Sequence, residues 1–257
     1  MKVVTTVHKA GLEQYGFRWF ESMKNWPENT EFRAYVEGFP DKDAAAQAVV
    51  KSCMDHPLFK GIGLGRGPWP ELPLTVPRTE DVPRLEAFKQ RYSTYKAPDW
   101  RHDIVRFSNK VFAAYDALYD HDGIGVWLDA DVVTDKPIPA GYVEDQLGDA
   151  YLAHFDRPGH YTETGLWLMN CAHPKHREFL DLWVRWFEED AFTRFDEWHD
   201  CTTLDATIRL TGVPTKSLSG RYGNLMHPMA KADFSRYLDH CKGARKVAGS
   251  SPERVAA

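Results

Sequence analysis

The seven residues Gly-Val-Trp-Leu-Asp-Ala-Asp at positions 125 to 131 constrain the fold more than any other part of this chain. A short apolar run that begins at a glycine and ends abruptly in two carboxylates indicates a buried parallel strand that stops at the open edge of an α/β sheet. Ligands of open α/β sheets bind at that edge. Because side chains alternate along a strand, Asp129 and Asp131 point to the same side and can share one divalent cation. Two solvated acids at a strand end are the alternative, since the pattern is short.

Length and composition favour one large α/β domain, with two small domains as the alternative. The chain has 257 residues, 43% of them hydrophobic, which is enough to bury a substantial core. The formal net charge of -5 argues against a protein that coats nucleic acid non-specifically. The charge is uneven, however, because the segment from Lys60 to Lys110 contains ten Lys and Arg against six Asp and Glu. A surface that faces a polyanion would therefore be local.

The cysteines and the apolar segments predict a soluble protein of a reducing compartment. The 4 cysteines, at positions 53, 171, 201 and 241, include no Cys-x-x-Cys pair. The first seven residues are too short and too polar for the core of a signal peptide. No apolar run approaches the ~18 residues of a membrane span. We therefore expect a cytoplasmic protein without a membrane partner.

The N-terminal region predicts two successive strand–helix units. The first strand covers residues 3–7 and precedes a helix in which Tyr15 is one of several apolar positions at helical spacing. A second strand is predicted over 32–36, and an Ala-rich helix over about 41–53. Such units build a parallel sheet, whose edge is commonly occupied by a nucleotide. The residues at the end of the first strand that would face this edge are Thr5, Thr6 and His8.

The segment from Gly61 to Pro98 is predicted to be a long loop, because glycines alternate at its start and prolines follow. It matches neither the dinucleotide-binding glycine pattern nor a P-loop. Its interleaved aromatic and basic residues could stack on and neutralise an anionic acceptor. In the alternative, the aromatic residues dock the loop on the core and the charges only solvate it. These residues are Trp69, Tyr92, Tyr95 and Trp100 with Arg66, Arg78, Arg84, Lys89, Arg91 and Lys96.

An amphipathic helix is predicted immediately before the Asp-x-Asp strand. Apolar residues recur at helical spacing from Ile104 to Leu118. Arg106 and Lys110 are four residues apart and therefore lie on the same face of this helix. Because the helix leads into the strand, both cations could meet a diphosphate at the sheet edge. A solvated polar face is the alternative.

The second half of the chain continues the α/β pattern and contributes two candidate acids. Strands are predicted near 151–154 and over 166–170, and polar residues that include Glu163 precede the second of them. Asp200 precedes a helix that runs to Gly212. It could cap that helix or serve as a catalytic acid, because both roles look alike in sequence.

A histidine, a glycine and a lysine recur at intervals of three near the end of the chain, as His240, Gly243 and Lys246. This spacing would place an imidazole ligand and an ammonium on one tight turn. A basic tail explains the pattern when it is taken alone. In combination with the carboxylate pair, it predicts a clamp for a metal ion and a diphosphate.

Together these motifs resemble the glycosyltransferases of the GT-A type, the nucleotide-diphospho-sugar transferase fold. That fold is a single α/β, Rossmann-like domain with a mostly parallel central sheet. The Asp-x-Asp strand and the His-x-x-Gly-x-x-Lys motif resemble the retaining glycogenin/galactosyltransferase group. Over nearly its whole length, the chain is also similar to small glycosyltransferase-like proteins found largely in phages. The blocks that carry this similarity are 11–27, 106–110, 127–131, 197–200 and 240–246.

The resemblance implies a metal ion, a donor and candidate catalytic acids. Mn²⁺ or Mg²⁺ on Asp129, Asp131 and His240 would bind the diphosphate of a nucleotide sugar. Asp200 or Glu163 would orient the acceptor hydroxyl or accept its proton, and in a retaining enzyme, which we favour, the leaving phosphate can take that proton. The implied donor-binding residues are Thr5, Thr6, His8, Tyr15, Arg106, Lys110 and Lys246. Residues 1–135 would bind the nucleotide sugar, and residues 136–257 the acceptor, with the metal and diphosphate segment at the end.

The predicted acceptor is the hydroxymethyl group of a modified pyrimidine in phage DNA, in the cytoplasm of the host cell. The phage-type resemblance, the lack of a membrane anchor and the local basic surplus motivate it, and a surface glycan is the second choice. An Asp-x-Asp phosphatase and a non-catalytic module that binds sugar nucleotides or nucleic acid are further alternatives. The phosphatase would release phosphate from phosphomonoesters, and the module would bind a donor without turnover.

Overall fold

The computed structural model describes residues 1–54, 73–219 and 227–254. The helices are α1 (Lys9–Gly11), α2 (Phe17–Ser22), α3 (Lys42–Met54), α4 (Pro83–Arg91), α5 (Ile104–Leu118), α6 (Tyr142–Leu147), α7 (His176–Glu188), α8 (Asp200–Thr211) and α9 (Arg245–Ala248). The strands are β1 (Lys2–His8), β2 (Glu31–Glu37), β3 (Leu74–Thr75), β4 (Ile124–Leu128), β5 (Val132–Thr134), β6 (Leu152–Arg157), β7 (His160–Asn170), β8 (Thr215–Ser217) and β9 (Leu238–His240).

Seven of these strands form one sheet, in the order β3-β2-β1-β4-β7-β6-β8. The pairs β1–β2, β1–β4, β2–β3 and β6–β8 are parallel, whereas β7 is antiparallel to both of its neighbours, β4 and β6. The predicted α/β fold with a mostly parallel central sheet is confirmed. Strand β7 begins earlier than predicted, at His160, and its additional residues pair with β6, while the predicted part, Leu166 to Asn170, lies along β4.

The sheet separates two hydrophobic cores, because successive residues of a strand face opposite sides. In β4, Val126 and Leu128 belong to the first core, while Trp127 belongs to the second. Helices α2, α3 and α6 pack on the first side, and α4, α5, α7 and α8 pack on the other. Burial on both sides explains why β4 reads as an uninterrupted apolar run.

The helical segment after β1 is irregular. A π-helical turn, Leu12–Gly16, lies between α1 and α2, and a 3-10 turn, Met23–Asn25, ends the segment before Pro27. Turns of the π type accommodate one additional residue and occur frequently at functional sites. This turn carries Tyr15. The predicted helix is therefore confirmed, with a local widening that the apolar spacing does not reveal.

The predicted loop from Gly61 to Pro98 is wrong in part. Strand β3 pairs with β2 in this segment, and α4 forms a regular helix. Pro83 is the first residue of α4, a position where a missing N–H costs no hydrogen bond, and Leu85 and Phe88 are buried in the second core. The proline thus starts a helix instead of breaking one. The glycine run of residues 61–67, with Arg66 and Trp69, lies outside the described residues.

The predicted cap of α8 is displaced by one residue. His199 is the N-cap, and Asp200 is the first helical residue, with 3% of its surface exposed. Because Asp200 does not close the helix end, its carboxylate is available for contacts elsewhere. The C-terminal end is as predicted, since Gly212 follows the helix with a left-handed φ of 60°.

The described cysteines are reduced and buried. Cys171, Cys201 and Cys241 are free thiols, and burial raises the pKa of Cys171 and of Cys241 to about 12. The Cys53 side chain lies outside the described part of the chain. Among the helices of the described residues, none is both long enough and apolar enough to cross a bilayer.

Candidate active site

A cleft of about 1040 Å³ opens where β1 and β4 end. This volume is in the range of sites that enclose small ligands. It collects all but one of the predicted site residues, namely Thr6, His8, Tyr15, Arg106, Lys110, Asp129, Asp131, Glu163, Asp200, His240 and Lys246. The exception is Thr5, which is fully buried and whose hydroxyl has no hydrogen-bond partner among the described residues. Thr5 and Thr6 face opposite sides of β1, and the Thr5 side chain is enclosed instead of opening into the cleft.

Two short strands bring the distant metal-ligand candidates together. After β4 the chain turns through Asp129 and Asp131, and the Val132 amide donates to the Asp129 carbonyl at 2.8 Å. Strand β5 then pairs antiparallel with β9, with Val132 opposite His240. The amide of Cys241 donates to the carbonyl of Asp131 at 2.9 Å. This backbone pairing, rather than any sequence proximity, places the imidazole beside the carboxylates.

The ligand atoms of Asp129, Asp131 and His240 all lie within 4.8 Å of one another, the one such group of three among the described residues. The two carboxylate oxygens of Asp131 have different neighbours. Oδ1 lies 3.3 Å from Nε2 of His240, and Oδ2 lies 3.0 Å from Nζ of Lys246. Burial opposes the ionisation of Asp131, but His240 and Lys246 outweigh it and hold the pKa of its carboxyl below the ordinary value.

Asp129 is oriented by two donors at a single oxygen. The indole Nε1 of Trp127 donates to Oδ1 at 2.6 Å, and Nζ of Lys110 lies 2.9 Å from the same atom. Trp127 and Asp129 are two residues apart and so lie on the same side of the strand. Within the described part of the chain, this arrangement leaves Oδ2 available to a cation.

The packing of His240 depends on a glycine in β7. A Cβ atom at Gly165 would lie 2.4 Å from Cε1 and 2.8 Å from Nδ1 of the imidazole, so any other residue would displace the ring. His240 is 2% exposed, and its Nδ1 lacks a hydrogen-bond partner among the described residues. The ring is therefore held by close packing against the backbone of β7.

These residues fit a divalent metal ion. Two carboxylates and one imidazole are donors that Mn²⁺ accepts, and Mg²⁺ also prefers carboxylates. Ligand atoms that already lie within 4.8 Å of one another could converge on one ion through small side-chain movements. The unused Oδ2 of Asp129 is consistent with a site that a ligand completes, and Nε2 is the nitrogen of His240 that lies on the side of Asp131.

Lys110 connects the metal-ligand candidates to Asp200. Its Nζ lies 2.9 Å from Oδ1 of Asp129 and 3.0 Å from Oδ2 of Asp200, and it donates to the carbonyl of Thr164 at 2.9 Å. Burial lowers the pKa of Lys110, but the two carboxylates raise it more, so that the pKa lies above the ordinary value. Because an ammonium has three hydrogens, these contacts engage all of them. Lys110, predicted to bind the donor, thus holds two acids of the cleft in place.

Glu163 has partners that its sequence context does not indicate. Lys242 forms a short ion pair with its Oε2, and Nη1 of Arg157 lies 3.8 Å from the same oxygen. Burial raises the pKa of Glu163, but Lys242 and His240 oppose this and lower it to about 2. Lys242 and Arg157 were not among the predicted site residues. The position of Lys242, two residues after His240, was the one available signal.

The N-terminal helical segment positions Lys246. The ammonium of Lys246 lies 4.5 Å from the ring centroid of Tyr15, a cation–π contact. Arg18 in α2 donates from Nη1 to the carbonyl of Lys246 at 2.5 Å and from Nη2 to the carbonyl of Val247 at 3.2 Å. These bonds satisfy carbonyls at the end of the short helix α9. A side chain at Gly249, which has a φ of 74°, would collide with the guanidinium.

The basic residues predicted to neutralise an anionic acceptor are mostly engaged by acids. The ion pairs are Arg78–Asp81 at 2.8 Å, Arg84–Glu188 at 2.6 Å, Arg91–Asp190 at 2.8 Å, and a short pair between Lys89 and Glu37. Tyr92 and Tyr95 pack against the second core. Of the described aromatic residues in this set, Trp100 lines the cleft.

Comparisons with known proteins identify the fold. No family model matches the sequence, and no curated protein matches it. Mouse xyloside xylosyltransferase 1, in its apo form, is similar in structure with a TM-score of 0.50 and 12% identity, over 85% of this chain and 86% of that chain. The apo-form glycosyltransferase GlyE of Streptococcus pneumoniae TIGR4 has a TM-score of 0.50 and 14% identity, over 84% of this chain and 44% of that chain. The galactosyltransferase LgtC, in complex with donor and acceptor sugar analogs, has a TM-score of 0.49 and 14% identity, over 87% of this chain and 75% of that chain. The strand order of the sheet and the similarity to the first two of these structures identify the fold of the chain as the GT-A fold of nucleotide-diphospho-sugar transferases.

Proposed function

We propose that this protein is a metal-dependent glycosyltransferase that moves a sugar from a nucleotide-diphosphate sugar to a hydroxyl group. The observation that carries this proposal is the group formed by Asp129, Asp131 and His240 in the cleft of a GT-A fold. The strand ends of open α/β sheets are where such folds bind ligands. Two carboxylates and an imidazole there suit an ion that also binds phosphate oxygens.

On the donor side, the proposed ligands are cations and polar groups around the end of β1. Lys246 and Arg106 would contact the diphosphate, and Thr6, His8 and Tyr15 would contact the nucleotide or the sugar. Residues 1–135 then form most of the donor half, to which the C-terminal segment with His240 and Lys246 returns. The bound metal ion would offset the negative charge that develops on the leaving diphosphate.

On the acceptor side, Glu163 and Asp200 would orient the attacking hydroxyl. The lowered pKa of Glu163 makes its carboxylate a weak base, so we assign it hydrogen bonding rather than proton removal. In the retaining reaction that we favour, the bond from the anomeric carbon to phosphate breaks and a bond to the acceptor oxygen forms. The acceptor proton goes to the leaving phosphate oxygen.

The experiment is a screen of UDP-, GDP- and ADP-sugars with Mn²⁺ or Mg²⁺, in which released nucleotide and the mass of the acceptor are measured. We expect turnover that a chelator abolishes. Asp129→Asn and Asp131→Asn should each lower turnover at least about 100-fold, because a bound metal ion contributes several kcal/mol of transition-state stabilisation. Asp120→Asn is the matched control, since Asp120 is 81% exposed in an ion pair with Arg177 outside the cleft.

Three outcomes would contradict the proposal. A folded Asp131→Asn variant with near-normal turnover would show that Asp131 does not hold a metal ion needed for the reaction. Release of phosphate from phosphomonoesters, without nucleotide release, would select the phosphatase alternative. Donor binding without turnover on any acceptor would select the non-catalytic module.

For the acceptor, the ion pairs of the described basic residues favour a glycan over the hydroxymethyl group of a modified pyrimidine in phage DNA. Cations already paired with carboxylates contribute little to binding of a phosphate backbone. DNA binding would weaken by about 0.9 log unit per neutralised phosphate for each tenfold rise in salt. Transfer to hydroxymethylated DNA, with that salt dependence, would restore the DNA acceptor, whereas transfer to a saccharide with little salt dependence supports the glycan.

A further inference from the structure

An aromatic ring is unusually exposed at the wall of the cleft. Trp100, in the 3-10 turn Trp100–His102, is 67% exposed. Its ring lies parallel to the imidazole of His199, with 5.4 Å between the centroids and 2° between the planes. Because His199 covers one face, the exposed area belongs mainly to the opposite face and the ring edge. A large aromatic face left open inside a cleft is characteristic of a ligand platform.

The imidazole beneath this ring is held rigidly. His199 is 5% exposed, its Nδ1 lies 3.2 Å from Sγ of Cys201, and the rings of Phe107 and Tyr161 meet it edge-on at 5.2 and 6.1 Å. Burial lowers the pKa of His199, which keeps the ring neutral at neutral pH. The indole therefore rests on a fixed, uncharged support.

The platform lies on the acceptor side of the proposed reaction. His199 precedes Asp200, and Asp200 is joined through Lys110 to Asp129 by contacts of 3.0 and 2.9 Å. Lys246, the proposed diphosphate ligand, lies instead against Tyr15 of the N-terminal helical segment. Trp100 is thus connected to the Asp200 and Asp129 end of the cleft, and Tyr15 to the Asp131 and Lys246 end.

The basic residues next to Trp100 in the sequence are not free to bind a polyanion. Arg101 and His102, its sequence neighbours, are both paired with Asp99, at 2.9 and 2.8 Å. On the cleft side, Oε2 of Glu197 lies 3.5 Å from Nε2 of His199. Carboxylates beside an open aromatic face accept hydrogen bonds from hydroxyl groups and repel phosphates.

We propose that Trp100 is an acceptor platform that stacks the apolar face of a neutral saccharide ring, with Glu197 accepting hydrogen bonds from its hydroxyls. This inference rests on the proposed glycosyltransferase function and names the acceptor class of the same site. A nucleobase could also stack on the indole, but its phosphates would meet the carboxylate of Glu197.

The test uses the whole chain with Mn²⁺ and whichever of UDP, GDP and ADP binds most tightly by calorimetry. An array of neutral oligosaccharides with gluco-, galacto-, manno- and xylo-configured ends is probed with wild type, Trp100→Ala, Trp100→Phe and Leu210→Ala. Leu210, 65% exposed in α8, is the surface control. We expect Trp100→Ala to weaken saccharide binding and to raise the acceptor KM by about tenfold or more, and Trp100→Phe to stay within about threefold of wild type. The nucleotide Kd, measured by calorimetry, should be the same in all four proteins.

The outcomes separate this inference from the proposed function. If the wild-type protein binds no nucleoside diphosphate in the presence of metal, the proposed function fails. If it binds nucleotide but no saccharide on the array, or transfers sugar only to hydroxymethylated DNA, the platform is overturned while the enzyme class stands. Equal saccharide binding by Trp100→Ala and wild type also overturns it.

Discussion

Gly165 is the residue on which the position of His240 most directly depends. Replacing it with alanine would push a methyl group to 2.4 Å from Cε1 of a ring that is 2% exposed and cannot turn freely into solvent. We expect Gly165→Ala to reduce the free energy of unfolding by about 1–3 kcal/mol, as overpacking of cores commonly does. We also expect weaker binding of Mn²⁺, measured by calorimetry alongside urea denaturation.

The double variant Gly165→Ala/His240→Ala is the control for this prediction. With the imidazole removed, the new methyl group has space, so the double variant should be less destabilised than the sum of the two single variants. Strict additivity would show that the imidazole is not what the methyl group meets.

At this scale, the sequence predicts residues whose chemistry is local and misses those whose role depends on a distant partner. Asp129 and Asp131 could be found because a strand sets their direction through its alternation. Arg18 and Arg157 could not, because an arginine that pairs across the fold reads like any solvated surface cation. Their partners lie in other strands and helices, and only tertiary packing brings them together.

The helices α5 and α7 meet through a buried histidine that should make stability depend on pH. Nε2 of His176, the first residue of α7, donates to the carbonyl of Leu118, the last residue of α5, at 2.7 Å. Burial lowers the pKa of His176 from its ordinary 6.5. As the pH falls below about 6.5, His176 therefore binds a proton in the unfolded chain before it does so in the folded chain. The free energy of unfolding then decreases by up to about 1.4 kcal/mol per pH unit.

His176→Gln removes this titration and should be less stable than wild type at about pH 7 through loss of packing. The difference in free energy of unfolding between the two proteins should then narrow on lowering the pH to about 5. His160→Gln, at an exposed position of the β6–β7 hairpin, is the matched control for this substitution. If the difference in free energy of unfolding between wild type and His176→Gln increases on acidification, His176 is charged in the folded protein. Urea titrations at several pH values measure this.

Elements were predicted where one signal dominates and missed where two compete. The stripe of α5 and the apolar run of β4 have a clear period, and both elements have the expected bounds within a residue or two. In α4, proline suggests a loop while Leu85 and Phe88 have helical spacing, and packing on the second core decides in favour of the helix. The direction of β7 was beyond reach, because strand periodicity is the same in parallel and antiparallel sheets.

For the molecule as a whole, the central position of β7 predicts that the two halves of the chain do not fold separately. Strand β4 of the N-terminal half pairs along its length with β7, from Leu128 opposite Leu166 to Ile124 opposite Asn170. A fragment of residues 1–135 would leave an apolar strand edge unpaired, which favours aggregation over folding. We expect this fragment alone to lack dispersed amide signals in NMR spectra.

Co-expression of this fragment with residues 136–257 should restore a folded complex. As a control, an intact chain with a surface substitution, such as Leu210→Ala, should unfold in a single transition. Well-dispersed spectra from the isolated fragment would show that the chain contains two domains. The single-domain prediction from length and composition is thus open to a direct test, and the α/β class itself followed from the order of strands and helices.

Because β5 pairs with β9, the residues around Asp131 are synthesised at different times. A ribosome adds about 5–20 residues per second, so His240 emerges roughly 5 to 20 s after Asp131, from which it is separated by about a hundred residues. Lys246 arrives later still. During that interval, the nascent chain has its carboxylates but neither of the side chains that stabilise Asp131 as an anion. The surroundings of Asp131 are therefore completed only after β9 and Lys246 have emerged, and a nascent chain that has not yet reached His240 lacks this site.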